Sequence, residues 1–193
     1  MEKQSKRDII IITDGDKVAS KAVQEVAIEV GGRCISRSAG NPTPLSGEKI
    51  VEFIKQAAKD PVLVMFDDNG QGGYGDGEKA IRYVATHPEI NVLGAVAVAS
   101  NTEAVEGAHI DVAIDCNGNI VESGVDKDGN CEFSNELRVY GDTVDVLEEL
   151  DIPIVVGIGD IGKMNGRDHI RYGCPITKKA VKLILQRSGY HES

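Results

Sequence analysis

Three of the most apolar runs in this chain end in a burst of acids and glycines. Asp8-Ile9-Ile10-Ile11-Ile12 runs into Thr13-Asp14-Gly15-Asp16, and Val62-Leu63-Val64-Met65-Phe66 runs into Asp67-Asp68-Asn69-Gly70. Ile154-Val155-Val156 runs into Gly157-Ile158-Gly159-Asp160-Ile161-Gly162-Lys163. A short unbroken apolar run has no polar side to turn to water, so it reads as a strand buried on both faces, as in a parallel sheet. Open parallel sheets bind their ligands just past the strand C-termini. The sequence therefore sets carboxylates and pliable backbone where such a fold keeps its site.

Between these runs the apolar spacing becomes helical. The pattern predicts a helix over 17–30 with Val18, Ala22, Val23, Val26, Ala27 and Val30 on one face, Asp16 as N-cap and Gly31-Gly32 as the stop. A short strand over 33–36 follows. A second helix is expected with Pro44 in its first turn and Ile50, Val51, Ile54 and Ala58 buried, ended by Asp60-Pro61. Ala80, Ile81, Val84 and Ala85 mark a third helix, 92–99 a strand, and 176–186 the last helix. This alternation predicts an α/β fold: a doubly wound, mainly parallel sheet in a flavodoxin- or Rossmann-like three-layer sandwich.

The rhythm breaks at 109–115, which alternates with period two before the hairpin dipeptide Asn117-Gly118; Asp128-Gly129 marks a second turn. About 109–140 therefore reads as a β-hairpin insertion. Asp142 is expected to cap a short helix reaching Leu150. With no repeat, linker or low-complexity stretch, residues 1–193 read as a single α/β domain.

A net charge of −10 argues against a general nucleic-acid binder, which needs a basic face for phosphate. No apolar stretch is long enough to span a membrane, and the N-terminus lacks the apolar core of a signal peptide. Cys34, Cys116, Cys131 and Cys174 lie far apart without a Cys-x-x-Cys pair, as expected of reduced thiols. Lys178, Lys179, Lys182 and Arg187 run against the global charge; they suit a solvated helix face, or one resting on anionic lipid or an acidic partner.

If the first and third strands are neighbours, as in the strand order 2-1-3-4-5, Asp14, Asp16, Asp67 and Asp68 share one region. Two carboxylates about 4 Å apart repel by about 4 kcal/mol at an effective dielectric near 20. Such a cluster needs a cation, a shared proton or a lysine. An all-oxygen set favours Mg²⁺ or Ca²⁺, with Asp14, Asp16 and Asp67 as the expected ligands. Ser100, Asn101, Gly159 and Asp160 also fall at or past strand ends and complete the expected ligand site, and Lys163 is placed to engage an anion. The plainer alternative is that each acid caps its own helix or turn. Two G-x-G-x-x-G matches, at 70–75 and 157–162, are each spoiled by neighbouring aspartates that would repel a pyrophosphate. No nucleophile–base arrangement stands out.

Longer motifs carry a resemblance. They are Gly31-Gly32-Arg33-Cys34-Ile35-Ser36, Gly40-Asn41-Pro42, Asp60-Pro61-Val62 with Met65-Phe66-Asp67-Asp68, Val96-Ala97-Val98-Ala99-Ser100, Gly141-Asp142-Thr143-Val144, the run 153–164, and Ile170-Arg171-Tyr172-Gly173 with Pro175-Ile176-Thr177. Together they resemble stage V sporulation protein AE, the soluble AE1 type, over nearly the whole chain and most weakly over 101–137. The resemblance implies a role in endospore formers, where the stage V sporulation A set takes up dipicolinic acid, as its calcium chelate, into the forming spore and releases it at germination. It implies a non-enzymatic accessory, cytoplasmic or peripheral to the inner spore membrane. Such an accessory would bind other stage V sporulation A proteins, with calcium dipicolinate a possible ligand. It transfers no catalytic residues. The competing reading, from the residues alone, is a Mg²⁺-dependent phosphotransferase or hydrolase using the Asp cluster.

Overall fold

The computed structural model describes residues 6–70, 74–102, 105–132, 134 and 136–191. Its first half alternates strand and helix: β1 (Arg7–Ile12), α1 (Lys17–Glu29), β2 (Arg33–Cys34), α2 (Gly47–Gln56), β3 (Val62–Met65), α3 (Asp76–Ala85) and β4 (Ile90–Val98). The second half holds β5 (Ala108–His109), β6 (Val112–Ile114), β7 (Ile120–Val121), β8 (Arg138–Val139), β9 (Val155–Ile158) and α4 (Pro175–Arg187).

Seven strands form one sheet in the order β2-β3-β1-β4-β9-β6-β7. Every neighbouring pair is parallel except the β6–β7 hairpin. The isoleucines of β1 explain why the sheet lies in the middle. Ile9, Ile10, Ile11 and Ile12 are all fully buried. Strand side chains alternate, so Ile9 and Ile11 join a core with Ile50, Ile54 and Ile81 of α2 and α3, while Ile10 and Ile12 join one with Val23, Val26, Ala180 and Ile184 of α1 and α4. The result is the doubly wound, mostly parallel three-layer α/β sandwich.

Several local expectations shift. The first and third strands are neighbours, but β3 lies between β2 and β1, which differs from the order 2-1-3-4-5. β6 of the anticipated insertion joins the main sheet beside β9, while β5 and β8 pair in a separate two-stranded ribbon. Helix α2 starts at Gly47 under a Ser46 cap, three residues beyond Pro44, and ends before Ala58, which is exposed. Asp142 caps nothing. The segment after it is a 3₁₀ turn, Asp145–Glu149, whose N-terminus has no side-chain cap. Asp16 does cap α1, accepting from the Val18 and Ala19 amides at 2.7 and 2.8 Å. All four cysteines are free.

Candidate functional site

The connections that follow β1 and β4 leave the sheet in opposite directions: β1 leads toward β2 at one edge, β4 toward β6 near the other. Where the connections of neighbouring strands diverge, open parallel sheets leave a crevice at the C-terminal edge. Here it has a volume of about 300 Å³. Thr13, Asp14 and Asp16 line it from the end of β1, Asp67, Asn69 and Gly70 from β3, Val98, Ser100, Asn101 and Thr102 from β4, and Asp160 and Lys163 from β9. Asn41 and Asp142 close its rim.

The loop after β1 approaches its neighbours so closely that only glycine fits at position 15. A Cβ there would lie 2.6 Å from the Gly40 carbonyl oxygen and 2.9 Å from the Asp67 Cβ. This close approach lets the Gly15 amide donate to Asp67 Oδ2 at 3.2 Å, which ties the β1 and β3 loops together. Asp67 Oδ1 accepts from the Asn69 amide at 2.7 Å. Asp14 is buried and poorly served: among the described residues a single amide, that of Asp16, donates to its Oδ1 at 3.2 Å.

The electrostatics follow from this geometry. Burial pushes the Asp14 carboxyl well above the usual range; the charge of Asp16 adds to the rise, the Asp16 amide opposes it, and Asp160 and Asp67 raise it further. Burial also pushes Asp67 up to about 6, opposed by the Asn69 and Gly15 amides and assisted by Asp142 and Asp16. Lys163 pairs with Asp160 at 2.9 Å, and that contact holds its ammonium above the ordinary lysine value.

Three carboxylates come close enough to share one ion. Asp14, Asp16 and Asp160 each offer an oxygen, all within 4.8 Å of one another. Ca–O bonds run about 2.4 Å, so oxygens on opposite sides of one ion lie no farther apart than this. The all-oxygen, multiply charged set suits a hard divalent cation. The triad differs from the expected Asp14, Asp16 and Asp67: Asp160 supplies the third oxygen, and Asp67 flanks the group.

Of the expected ligand residues, Asp14, Asp16, Asp67, Ser100, Asn101, Asp160 and Lys163 line the crevice, whereas Asp68 and Gly159 do not. Asp68 turns away and caps α3, accepting from the Gly77 and Glu78 amides at 2.6 and 3.0 Å. Gly159 packs beneath, against Gly129 and Met164. Asp142 was not anticipated. It reaches the rim from the far end of the 101–141 excursion and accepts a hydrogen bond from the Gly70 amide. No local pattern announces that placement. In the first G-x-G-x-x-G match, residues 71–73 lie outside the described residues.

On the opposite charge feature, two of the α4 lysines are engaged: Lys178 with Glu29 at 2.7 Å and Lys179 with the Gly118 carbonyl. Lys182 and Arg187 are exposed. No helix among the described residues is long and apolar enough to cross a membrane.

No curated protein and no solved structure matches the chain. One family model does, described as stage V sporulation protein AE1, and it spans residues 8–188. That span takes in every strand of the sheet from Asp8 onward, the whole crevice and α4, so the chain belongs to the stage V sporulation protein AE1 family and is a sporulation-related protein.

Proposed function

We propose that this protein is an accessory of the stage V sporulation A process that handles dipicolinic acid, and that its crevice binds calcium, free or as a chelate. Family membership supports a role in sporulation, and the dipicolinate process is the reading we build on it. The observation that carries the chemistry is the Asp14, Asp16 and Asp160 triad at the topological switch point. A divalent ion there would satisfy three carboxylates at once and relieve the repulsion that burial and mutual charge impose on Asp14. Lys163 supplies a counter-charge to Asp160 of the triad. It would either move aside for the ion or remain to meet an anionic chelator bound to it.

In this reading the protein works beside the inner spore membrane without spanning it, through contact with other stage V sporulation A proteins. The exposed cations Arg171, Lys182 and Arg187, in the C-terminal part of an otherwise acidic chain, suit such an anionic neighbour. Deleting the gene in a spore former is expected to lower spore dipicolinate or slow its release in germination. An Asp14→Asn, Asp160→Asn copy should fail to restore either. Normal dipicolinate content and release in the deletion strain would contradict the proposal. Turnover of a phosphate ester with Mg²⁺ would instead favour the reading of the crevice as an enzyme active site.

A further inference from the structure

Helix α3 buries an acid with one of its two carboxylate oxygens left unpaired among the described residues. Glu78 is 3% exposed, and its Oε1 has no hydrogen-bond partner among the described residues. One turn along the same helix, the Nε of Arg82 is also buried and, among the described residues, unpaired. Side chains four apart on a helix stand next to each other, so these two groups are within reach of one another. Arg82 points elsewhere. Its Nη2 donates to Glu149 and to the Tyr74 hydroxyl, and its guanidinium lies 5.2 Å from the Tyr74 ring centroid. Glu149 ends the turn Asp145–Glu149, so Arg82 straps that turn to α3.

Two carboxylates thus compete for one guanidinium. Burial, with the charges facing it, pushes Glu78 up to about 7: Asp68 from the loop after β3 adds to the rise, then Asp145 and Glu149 from the turn. The Val146 backbone amide is the one group on that turn favouring the ionised form, and Arg82 is the nearby cation on its own helix. A neutral Glu78 has little claim on Arg82. An ionised one, surrounded by acids and shielded from water, has a strong one.

We propose that Glu78, Arg82 and Glu149 form an exchange latch. While Glu78 is neutral, Arg82 holds the turn 145–149 against α3; when Glu78 ionises, Arg82 swings inward to it and lets the turn go. The two arrangements exchange one ion pair for another, the kind of small difference that makes an element bistable. The turn begins three residues after Asp142, which lines the crevice and holds the Gly70 amide. Asp145 in turn holds the Gly107 amide at 2.8 Å. Release of the turn therefore reaches the crevice rim. The latch rests on the α3 contacts alone and stands whether or not the crevice binds calcium.

Amide hydrogen exchange on the full chain, corrected for intrinsic rates, tests it. The amides to follow are those of Leu147 and Leu150, bonded to the Val144 and Leu147 carbonyls within the turn. Their protection should fall about tenfold between about pH 6 and about pH 8. Glu78→Gln should stay protected at both values. Glu149→Gln, at an exposed position, removes the outer competitor and should leave both amides weakly protected throughout. Equal protection of the unmodified protein at both values, or a pH-dependent loss that persists in Glu78→Gln, would overturn the latch. If Glu78→Gln does not fold, a fully protected turn at low pH in Glu149→Gln overturns it equally.

Discussion

Two buried aspartates, Asp168 ahead of α4 and Asp14 in the crevice after β1, show how differently this fold treats the same side chain. Asp168 is 1% exposed, and its oxygens take the Ile176 and Thr177 amides at 2.7 and 3.1 Å and the Thr177 hydroxyl at 2.5 Å. Asp14 is 8% exposed and, among the described residues, receives one long bond from a single amide, with Asp16, Asp160 and Asp67 crowding it. Burial pushes both carboxyls upward; donors oppose the rise at Asp168, while other acids reinforce it at Asp14. A carboxylate whose lone pairs are spent on helix amides serves the fold. One buried among its own kind costs stability unless a proton or a cation offsets the charge.

The largest expected effect separates the two. Asp168→Ala strips the first turn of α4 of its acceptor and leaves buried donors unpaired, so it should cost about 3 kcal/mol in urea unfolding. A cost below about 1 kcal/mol would mean that α4 does not depend on this cap.

A smaller effect tests the crevice side. Asp67 has a folded value of about 6 against about 3.9 unfolded, so the native state holds the extra proton. The stability this gives is fully present below about pH 4 and is lost as pH rises through about 6, worth at most about 3 kcal/mol. Asp67→Asn should flatten the stability–pH curve over that window in divalent-free buffer, and an unchanged slope would remove Asp67 from the set of strained acids. Smaller again, Asp14→Asn should leave stability near neutral pH within about 1 kcal/mol of the unmodified chain, with any change stabilising.

Much of this was readable from the residues. Four consecutive isoleucines at 9–12 admit only a strand covered on both sides, and the acids that follow β1 and β9 do meet in the crevice. Adjacent Asp67 and Asp68 were not separable by sequence. The chain turns sharply past β3, and whether each faces the crevice or the α3 amides depends on where α3 docks. The identity of the third triad oxygen depended on strand order. β3 pairs with β1 directly and β9 lies across β4, yet the loop after β9 brings Asp160 to Asp14, while the oxygens of Asp67 accept from the Gly15 and Asn69 amides. Asp142 arrives at the rim only after a long excursion through β5 to β8, whose path no local spacing encodes.

The central claim is that under-bonded acids at the switch point exist to hold a divalent ion. Titration calorimetry of the chelator-treated full chain with calcium chloride near pH 7 tests this most directly. The account predicts one site, saturable at millimolar calcium or below, weakened at least about tenfold by Asp14→Asn, Asp160→Asn and left intact by Asp68→Asn, whose carboxylate belongs to α3. No calcium-dependent heat from the unmodified protein at millimolar calcium, or equal binding by the Asp14→Asn, Asp160→Asn variant, would contradict it.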